Sequence, residues 1–458
     1  MIRIDTQLTP AALERPIARL FELSAQKIAA LDARWNPSEG TPVFTAAGRY
    51  TSRGWTEWTQ GFQFGAAILQ FDATGDAAML EIGRRNTVRH MATHVSHVGV
   101  HDHGFNNVST YGNLLRLARE GRIAASEWEA SFYELALKLS GAVQAARWTP
   151  LPEGGFIHSF NGPHSLFADT MRSLRSLALG HQLGHVLMGE RDARISLLAR
   201  LVGHADANAR YNVYYGEGRD RYDVRGRVAH ESVFNVNDGS YRCPSSQQGY
   251  SPFSTWTRGL AWVLLGYAEE LEFLATRDGA ELAPFGGAAA VVERYLAAAR
   301  ATADFYIGNT PSCGVPYWDT GAPRLARMGD YLDRPADPYN EHEPVDSSAA
   351  AISAQGLIRL GRYLGARGDA AAAERYVAAG LTVARTLFAE PYLATDPAHE
   401  GLLLHVIYHR PNGWDHVPHG RKIPCGESAM WGDYHLRELA LMIRRLARDE
   451  PYYAFYRI

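Results

Sequence analysis

Apolar residues recur at helical spacing along most of the chain. The segment AAAVVERYLAAARATADFY (288–306) is rich in alanine, which favours helix, and its larger apolar residues share one face. The same reasoning predicts helices over about 11–34, 59–73, 76–93, 109–121, 127–146, 165–187, 191–212, 255–276, 287–308, 346–366, 369–389 and 428–447. Strand-like alternation is sparse and short, as at 211–215 and 233–236. We therefore predict an all-α protein.

The number and the caps of these helices indicate how they are arranged. Asp346 and Asp369 stand where an N-cap residue is expected, directly before two of them. An even set of twelve suits six helical hairpins closed into a ring, an (α/α)6 barrel. An open solenoid is the alternative, but the chain shows no fixed repeat period. With no linker in view, we expect residues 1–458 to form one catalytic domain.

The segments between the predicted helices carry most of the chemically reactive residues. They span 50–61, 101–107, 216–256, 311–345 and 408–431. Loops on a rigid scaffold commonly form binding and catalytic sites. We therefore expect an active site at the mouth of the ring where these loops meet.

Composition and charge narrow the classes of function. The chain has 458 residues, 46% hydrophobic and 21% charged, with a net charge of -3, so nothing favours nucleic acid or an anionic membrane as a partner. No apolar stretch approaches the ~20 residues needed to span a bilayer, and the N-terminus lacks a secretory pattern. The three cysteines fit neither a zinc site nor a disulfide framework. These features predict a cytoplasmic protein.

Two aspartates are candidates for acid–base chemistry. Asp102, in the run HDHGF (101–105), lies between two histidines and close to Gly104, which would permit a sharp turn. Asp169 is a lone carboxyl in an apolar, aromatic run (165–171), where burial would raise its pKa, as a general acid requires. Each could equally be the N-cap of the helix that follows it.

The segment QGYSPFSTWTRGLAW (248–262) combines aromatic faces with one guanidinium. Trp256 and Trp262 could stack on a sugar, and Arg258 could hold a carboxylate with its planar fork. Together they suit an acidic sugar. A capped core helix with one structural ion pair would also explain them.

Other motifs argue against particular chemistries. His181 and His185 are four residues apart on one helix but have no further metal ligand nearby in sequence, so no metal site is predicted. The run Gly216–Gly218 lacks the spacing and the lysine of a phosphate loop, and no Gly-x-Ser-x-Gly elbow of a serine hydrolase is present.

Seven segments in one order resemble the unsaturated glucuronyl hydrolases, a glycoside hydrolase family. They are TEWTQGFQFGAAIL (56–69), HDHGF (101–105), ADTMRSL (168–174), QGYSPFSTWTRGLAW (248–262), GVPYWD (314–319), DSSAAAISAQGLIRL (346–360) and MWGDYHLREL (430–439). The resemblance implies an (α/α)6 barrel that removes an unsaturated uronic acid from the non-reducing end of a lyase-made di- or oligosaccharide, without metal or organic cofactor.

The resemblance also implies roles for single residues. Asp102 and Asp169 match the family's essential carboxylates, with Asp169 as the proton donor, held neutral by apolar neighbours and by Asp102. The matching substrate-binding positions are Trp58, His230, Gln248, Trp256, Arg258, Trp262 and Ser428. Arg258 could pair with the substrate carboxylate or instead brace the 248–250 segment through backbone carbonyls.

The sequence departs from the family pattern in places and leaves alternatives open. His103 stands where an apolar residue is usual, and the segments 216–229 and 409–425 look expanded. An unsaturated rhamnogalacturonyl hydrolase shares the barrel and the chemistry, and an (α/α)6 sugar epimerase acting on N-acyl sugars would use histidines instead. A barrel that binds sugar without catalysis is a further reading. The chain could be a monomer or a homodimer.

Overall fold

The chain folds into a closed double ring of helices. The computed structural model describes residues 1–54 and 57–456, so Thr56, the first residue of the 56–69 motif, lies outside the described residues. The α-helices of this part are α1 Glu14–Arg34, α2 Gln60–Thr74, α3 Ala77–His90, α4 Ala92–Val95, α5 His103–Asn107, α6 Asn113–Arg119, α7 Glu127–Ala146, α8 Thr170–Ser173, α9 Arg175–Gln182, α10 Leu197–Tyr211, α11 Thr257–Leu274, α12 Ala288–Gly308, α13 Ser347–Ala366, α14 Ala370–Leu387 and α15 Met430–Ala447.

Inner and outer helices alternate along the chain. The inner ring consists of α2, then α5 and α6 joined through a π-helical turn at Val108–Gly112, then α8 with α9, α11, α13 and α15, which packs back on α2. These helices are buried on nearly all sides, whereas α1, α3, α7, α10, α12 and α14 bury one face and expose the other. The (α/α)6 prediction is confirmed.

Short antiparallel strands lie in the segments between the helices. They are β1 Thr41–Ala46, β2 Arg49–Arg53, β3 Trp148–Pro150, β4 Gly155–Ile157, β5 Ser165–Phe167, β6 Val186–Met188, β7 Arg194–Ser196, β8 Glu231–Phe234 and β9 Tyr241–Ser245. The pairings are β1 with β2, β3 with β4 and β6 with β7, and the three-stranded order is β5-β8-β9.

Three boundaries differ from the prediction. The helix predicted over 165–187 begins as β5, because its apolar start pairs with β8, and its second half ends in β6. The helix predicted over 191–212 starts only at Leu197, since the residues before it pair in the β6–β7 hairpin. The alternation at 211–215 makes only one isolated bridge, Val213 with Val228.

Candidate active site

A cavity of about 260 Å³ opens where inner helices begin. The segments that lead into α2, α5, α8 and α11 all contribute to its wall, together with residues 408–414. Its aromatic lining consists of Trp58, Phe105, Phe160, Trp256, Trp262, Tyr408 and Trp414. A larger cavity of about 1040 Å³ lies beside α10 but contains neither aspartate, so size alone does not locate the site.

Asp102 and Asp169 stand at the N-cap positions of α5 and α8 but cap neither helix. Neither side chain accepts a hydrogen bond from the helix that follows, although only 9% of Asp102 and 8% of Asp169 is exposed. Asp346, by contrast, accepts from two backbone N–H groups of α13. Because these two buried carboxyl groups do not cap the helices that follow them, the structure favours a catalytic role for the aspartates over a structural one.

Glycine lets the two carboxyl groups come together. A Cβ atom at Gly104 would lie 2.3 Å from the backbone oxygen of Ser173, so α5 and α8 approach to backbone contact at this point. The backbone N–H of Gly104 donates to the Ser173 hydroxyl, which in turn donates to the carbonyl of His101 at 2.6 Å. Gly104 therefore serves close packing rather than a sharp turn, since its φ is not positive.

His101 bridges the two aspartates. Its Nε2 lies 3.2 Å from Oδ1 of Asp169 and 3.7 Å from Oδ1 of Asp102. Burial alone would lower the pKa of His101, but the charge of Asp102 and the bond to Asp169 raise it above its ordinary value. The sequence analysis assigned His101 no role, although it is the direct neighbour of Asp102.

The order of the two carboxyl pKa values is the reverse of the prediction. Burial raises the pKa of Asp102, and the charge of Asp169 adds to this, while His101 opposes it. Burial would also raise the pKa of Asp169, but its hydrogen bond to His101 and the charge of that ring hold it below its ordinary value. The prediction that apolar neighbours keep Asp169 neutral is therefore wrong, because it did not take the neighbouring imidazole into account.

The second histidine of the HDHGF run is structural. His103 Nδ1 lies 3.1 Å from the Ser140 hydroxyl and its Nε2 lies 3.0 Å from the carbonyl of His97. Burial lowers its pKa to about 4, so the ring is neutral. It anchors the segment to α7 rather than facing the cavity.

His230 is close to the 248–250 segment and to Asp169. Its Nδ1 accepts from the backbone N–H groups of Gln247 at 3.1 Å and Gln248 at 3.2 Å, so the proton of the neutral ring is on Nε2. Burial lowers its pKa to about 4. Among the described residues, Nε2 is a buried donor with no hydrogen-bond partner, but His230 is not among the residues that line the cavity.

Arg258 is held on all sides by protein groups. Nη1 donates to Asp346 at 2.6 Å and to the carbonyl of Ile407, and Nη2 donates to the carbonyl of Tyr408 at 2.7 Å and to Oε1 of Gln248 at 3.2 Å. The guanidinium therefore ties two loops to the start of α13. The amide NH₂ of Gln248, with its oxygen occupied, remains available as a donor.

The three predicted tryptophans all line the cavity, but they differ in how much of each ring is left uncovered. Trp58 is half-buried and stacks on Trp431 at 5.0 Å, so one of its faces is already covered. Trp256 packs against the Arg258 guanidinium and Trp262 against Phe105, and both are almost fully buried. Trp58 is therefore the one of the three best placed to offer a face to a sugar.

Ser428 is not among the residues that line the cavity. It is buried, and its hydroxyl donates to Asp433 at 2.7 Å. The same carboxylate accepts from the backbone N–H groups of Leu402 and Leu403. Ser428 is therefore part of a hydrogen-bond network that holds the loop at 402–403. The sequence match could not distinguish this structural role from contact with the substrate.

Several cavity residues received no role in the sequence analysis. They are Glu57, Phe105, Phe160, Tyr408, His409 and Trp414. Burial raises the pKa of Glu57, and Asp102 adds to the effect. Both ring nitrogens of His409 contact Asn412, Nδ1 its backbone N–H at 3.3 Å and Nε2 its side-chain amide at 3.5 Å, and burial lowers the pKa of the ring to about 4. For His409 and Trp414, the three histidines and the tryptophan of the 409–425 segment were the available signal.

Other predicted groups have ordinary partners. His181 lies 2.6 Å from Glu281, and within residues 1–54 and 57–456 no cluster of three His, Cys, Asp or Glu could hold a metal ion. None of the helices in these ranges is both long and apolar enough to cross a membrane.

Comparisons with known proteins agree with the motifs. No family model matches the chain. The curated unsaturated glucuronyl hydrolase of Bacillus sp. (strain GL1) is 25% identical over 417 residues, 88% of this chain and 90% of that protein. The enzyme of the same name from Formosa agariphila is 23% identical over 389 residues, 83% of this chain and 78% of that protein.

A solved structure shares the fold. The unsaturated glucuronyl hydrolase from Bacillus sp. GL1, described as responsible for the degradation of glycosaminoglycan, matches with a TM-score of 0.69 at 22% identity over 94% of this chain and 96% of that chain. The architecture is that of an (α/α)6 barrel. The resemblance to unsaturated glucuronyl hydrolases is confirmed, and the comparisons favour neither the rhamnogalacturonyl hydrolase nor the epimerase alternative.

Proposed function

We propose that this protein removes an unsaturated uronic acid from the non-reducing end of a lyase-made di- or oligosaccharide by hydrating the ring double bond. The observation that carries the proposal is the pair Asp102 and Asp169, buried, free of capping bonds and bridged by His101 in an aromatic cavity. A volume of about 260 Å³ is slightly below the ~300–1,000 Å³ of common ligand pockets and suits a single sugar ring.

The chemistry follows from the substrate's enol ether. Its C4=C5 double bond is conjugated with the C6 carboxylate and joined to the ring oxygen, so C4 can accept a proton. Asp169 donates that proton, and the positive charge at C5 is shared with the ring oxygen. Water then loses a proton to Asp169 and adds at C5, and the hemiketal opens to release the remaining saccharide. Since the anomeric carbon is not attacked, the carboxylate spacing of ordinary glycosidases does not predict the outcome.

His101 supplies the proton that Asp169 donates. The ring has a raised pKa and is within hydrogen-bond distance of Asp169. Entry of a uronate brings a negative charge, which raises the pKa of a neighbouring carboxyl group. Because the same charge also favours protonated His101, the proton in this proposal reaches C4 by relay, passing from His101 to Asp169 as Asp169 protonates the sugar. Asp102 orients the sugar hydroxyls.

Neutral donors, rather than Arg258, bind the substrate carboxylate and hydroxyls in this proposal. The amide NH₂ of Gln248 and Nε2–H of His230 are left as donors by the bonds that occupy their other atoms. Arg258 orients Gln248 and braces the loops. Trp58 offers a stacking face.

The test follows the ultraviolet absorbance of the conjugated double bond with a panel of lyase-made unsaturated disaccharides. We expect wild type to remove the absorbance and Asp169→Asn to be slower by ~10²–10⁴-fold, the usual contribution of general acid catalysis. In heavy water the released sugar acid should carry deuterium at C4. Full activity of Asp169→Asn, or product without deuterium at C4, would overturn the mechanism. No activity on any disaccharide would overturn the proposed function.

A further inference from the structure

A second cavity adjoins the active-site cavity. It has a volume of about 390 Å³, and its wall includes Gly249, Tyr250, Trp318, Arg324, Glu343 and Arg410. Two segments run from one cavity to the other, because Gln248 and His409 line the active-site cavity and the residues that follow them line the second. Consecutive Cα atoms are only about 3.8 Å apart. This second cavity, the side cavity, is therefore within reach of the second sugar of a saccharide whose first ring occupies the active site.

The wall of the side cavity is tied to the helix that carries Trp262. The backbone N–H of Thr257, the first residue of α11, donates to the carbonyl of Trp318 at 3.1 Å. Nε1 of Trp318 donates to Glu343 at 2.9 Å, and the indole is almost fully buried. Tyr250, by contrast, is 50% exposed. An exposed aromatic ring on a fixed wall suits packing against a sugar.

Two arginines give the side cavity a positive charge. Arg324 is exposed and Arg410 half-buried, and within the described residues neither guanidinium has an ion pair or a hydrogen bond. Glu343 is 4% exposed, and its oxygens already accept from Trp318 and from the backbone N–H of Arg324 at 3.0 Å. Two arginines against one glutamate leave these wall residues a net charge of +1. The side cavity therefore favours an anionic group.

The other lysine and arginine residues of the 409–425 segment are already bound. Lys422 lies 2.6 Å from Glu341. Arg421 donates to the carbonyl of Tyr339 at 3.0 Å, and its guanidinium lies 5.3 Å from the centre of that ring. These contacts fasten the segment to residues 339–341. Of its three cationic side chains, Arg410 is thus the one that the described residues leave for a ligand.

We infer that Arg324 and Arg410 bind a sulfate ester on the sugar next to the unsaturated ring. The inference rests on the proposed function and narrows its substrate class to sulfated lyase products. A guanidinium presents N–H donors in a planar fork that matches the oxygens of an oxoanion. In a disaccharide of one unsaturated uronate and one amino sugar, the carboxylate belongs to the first ring. A sulfate ester is then the anion that the second ring brings to the side cavity.

Kinetics on matched unsaturated disaccharides, unsulfated or sulfated at single positions of the amino sugar, test the inference. We expect kcat/KM of wild type to be at least about tenfold higher on one sulfated isomer, the usual weight of a hydrogen bond to a charged group. Arg324→Gln and Arg410→Gln should each lower this ratio about tenfold. Arg327→Gln is the matched control, because Arg327 is exposed in the turn after Arg324 but does not line the cavity.

The ratio compares two substrates of one preparation, so partial unfolding of a variant does not change it. A wild type that prefers no sulfated isomer, or a preference that both arginine variants retain, would overturn the inference.

Calorimetric binding to Asp169→Asn separates this inference from the proposed function, because it needs no turnover. Tighter binding of a sulfated disaccharide, lost in Asp169→Asn/Arg410→Gln, would support the sulfate site even if the wild type had no hydrolase activity. Equal binding of sulfated and unsulfated disaccharides would overturn it even if both were hydrolysed.

Discussion

Replacing Arg258 with methionine separates bracing of the loops from binding of the substrate. Arg258 is 1% exposed, and its partner Asp346 is fully buried. Removing one member of a buried ion pair costs ~3–5 kcal/mol, because the other charge is left uncompensated. The carbonyls of Ile407 and Tyr408 lose donors as well, at ~1–3 kcal/mol each when no water replaces them. These losses share one side chain and do not add, so we expect about 4 kcal/mol of destabilisation.

The assay compares thermal unfolding and steady-state kinetics of wild type and three variants. Arg258→Met should unfold at a clearly lower temperature than wild type. The double variant Arg258→Met/Asp346→Asn should regain much of the loss, because it removes the orphaned charge. Arg375→Met is the control: its ion pair with Asp304 is exposed and worth at most ~1 kcal/mol. An Arg258→Met protein as stable as wild type, but with KM raised about 100-fold (~2.7 kcal/mol), would refute bracing and assign the guanidinium to the substrate carboxylate.

Three further changes test the rest of the site. His101→Gln should lower stability most between pH 3.8 and pH 6.5, the ordinary pKa values of aspartate and histidine. The raised pKa of His101 stabilises the fold at low pH, and this stabilisation is lost as the pH rises through that raised pKa. The lowered pKa of Asp169 stabilises the fold only above the ordinary pKa of aspartate. A pH-independent difference in urea unfolding would contradict this. Ser428→Ala should cost ~1–3 kcal/mol with KM unchanged, because Asp433 loses a donor and Ser428 does not line the cavity. A KM change at unchanged stability would restore its predicted contact. Asp102→Asn should lower kcat/KM at least ~100-fold at an unchanged unfolding temperature, since it caps no helix; a fall in that temperature would indicate a structural role.

Helices and caps were predictable from short stretches of sequence because they depend on neighbours three and four residues away. The span 127–146 coincides with α7, and Asp346 caps α13 as expected. The segment that begins at 165 was not predictable in the same way. Its apolar residues suit a helix or a strand, and β5 forms because β8, more than sixty residues later, provides a pairing edge.

Single motifs located the candidate site but did not settle what each residue does there. Asp102, Asp169, Gln248 and Trp58 were named from their motifs, and all line one cavity. Ser428 was named by the same reasoning but lies outside the cavity. A position in a motif does not specify the direction in which its side chain points.

The sequence by itself determined an all-α ring and the two aspartates, since helical periodicity is local and the motifs are contiguous. Only the tertiary structure decided how those aspartates titrate and what Arg258 does. His101 reaches Asp169 across 68 positions, and Arg258 finds Asp346 and the carbonyls of Ile407 and Tyr408 across 88, 149 and 150. A pKa depends on burial and on charges a few ångströms away, and those distances exist only once the inner helices have closed into a ring.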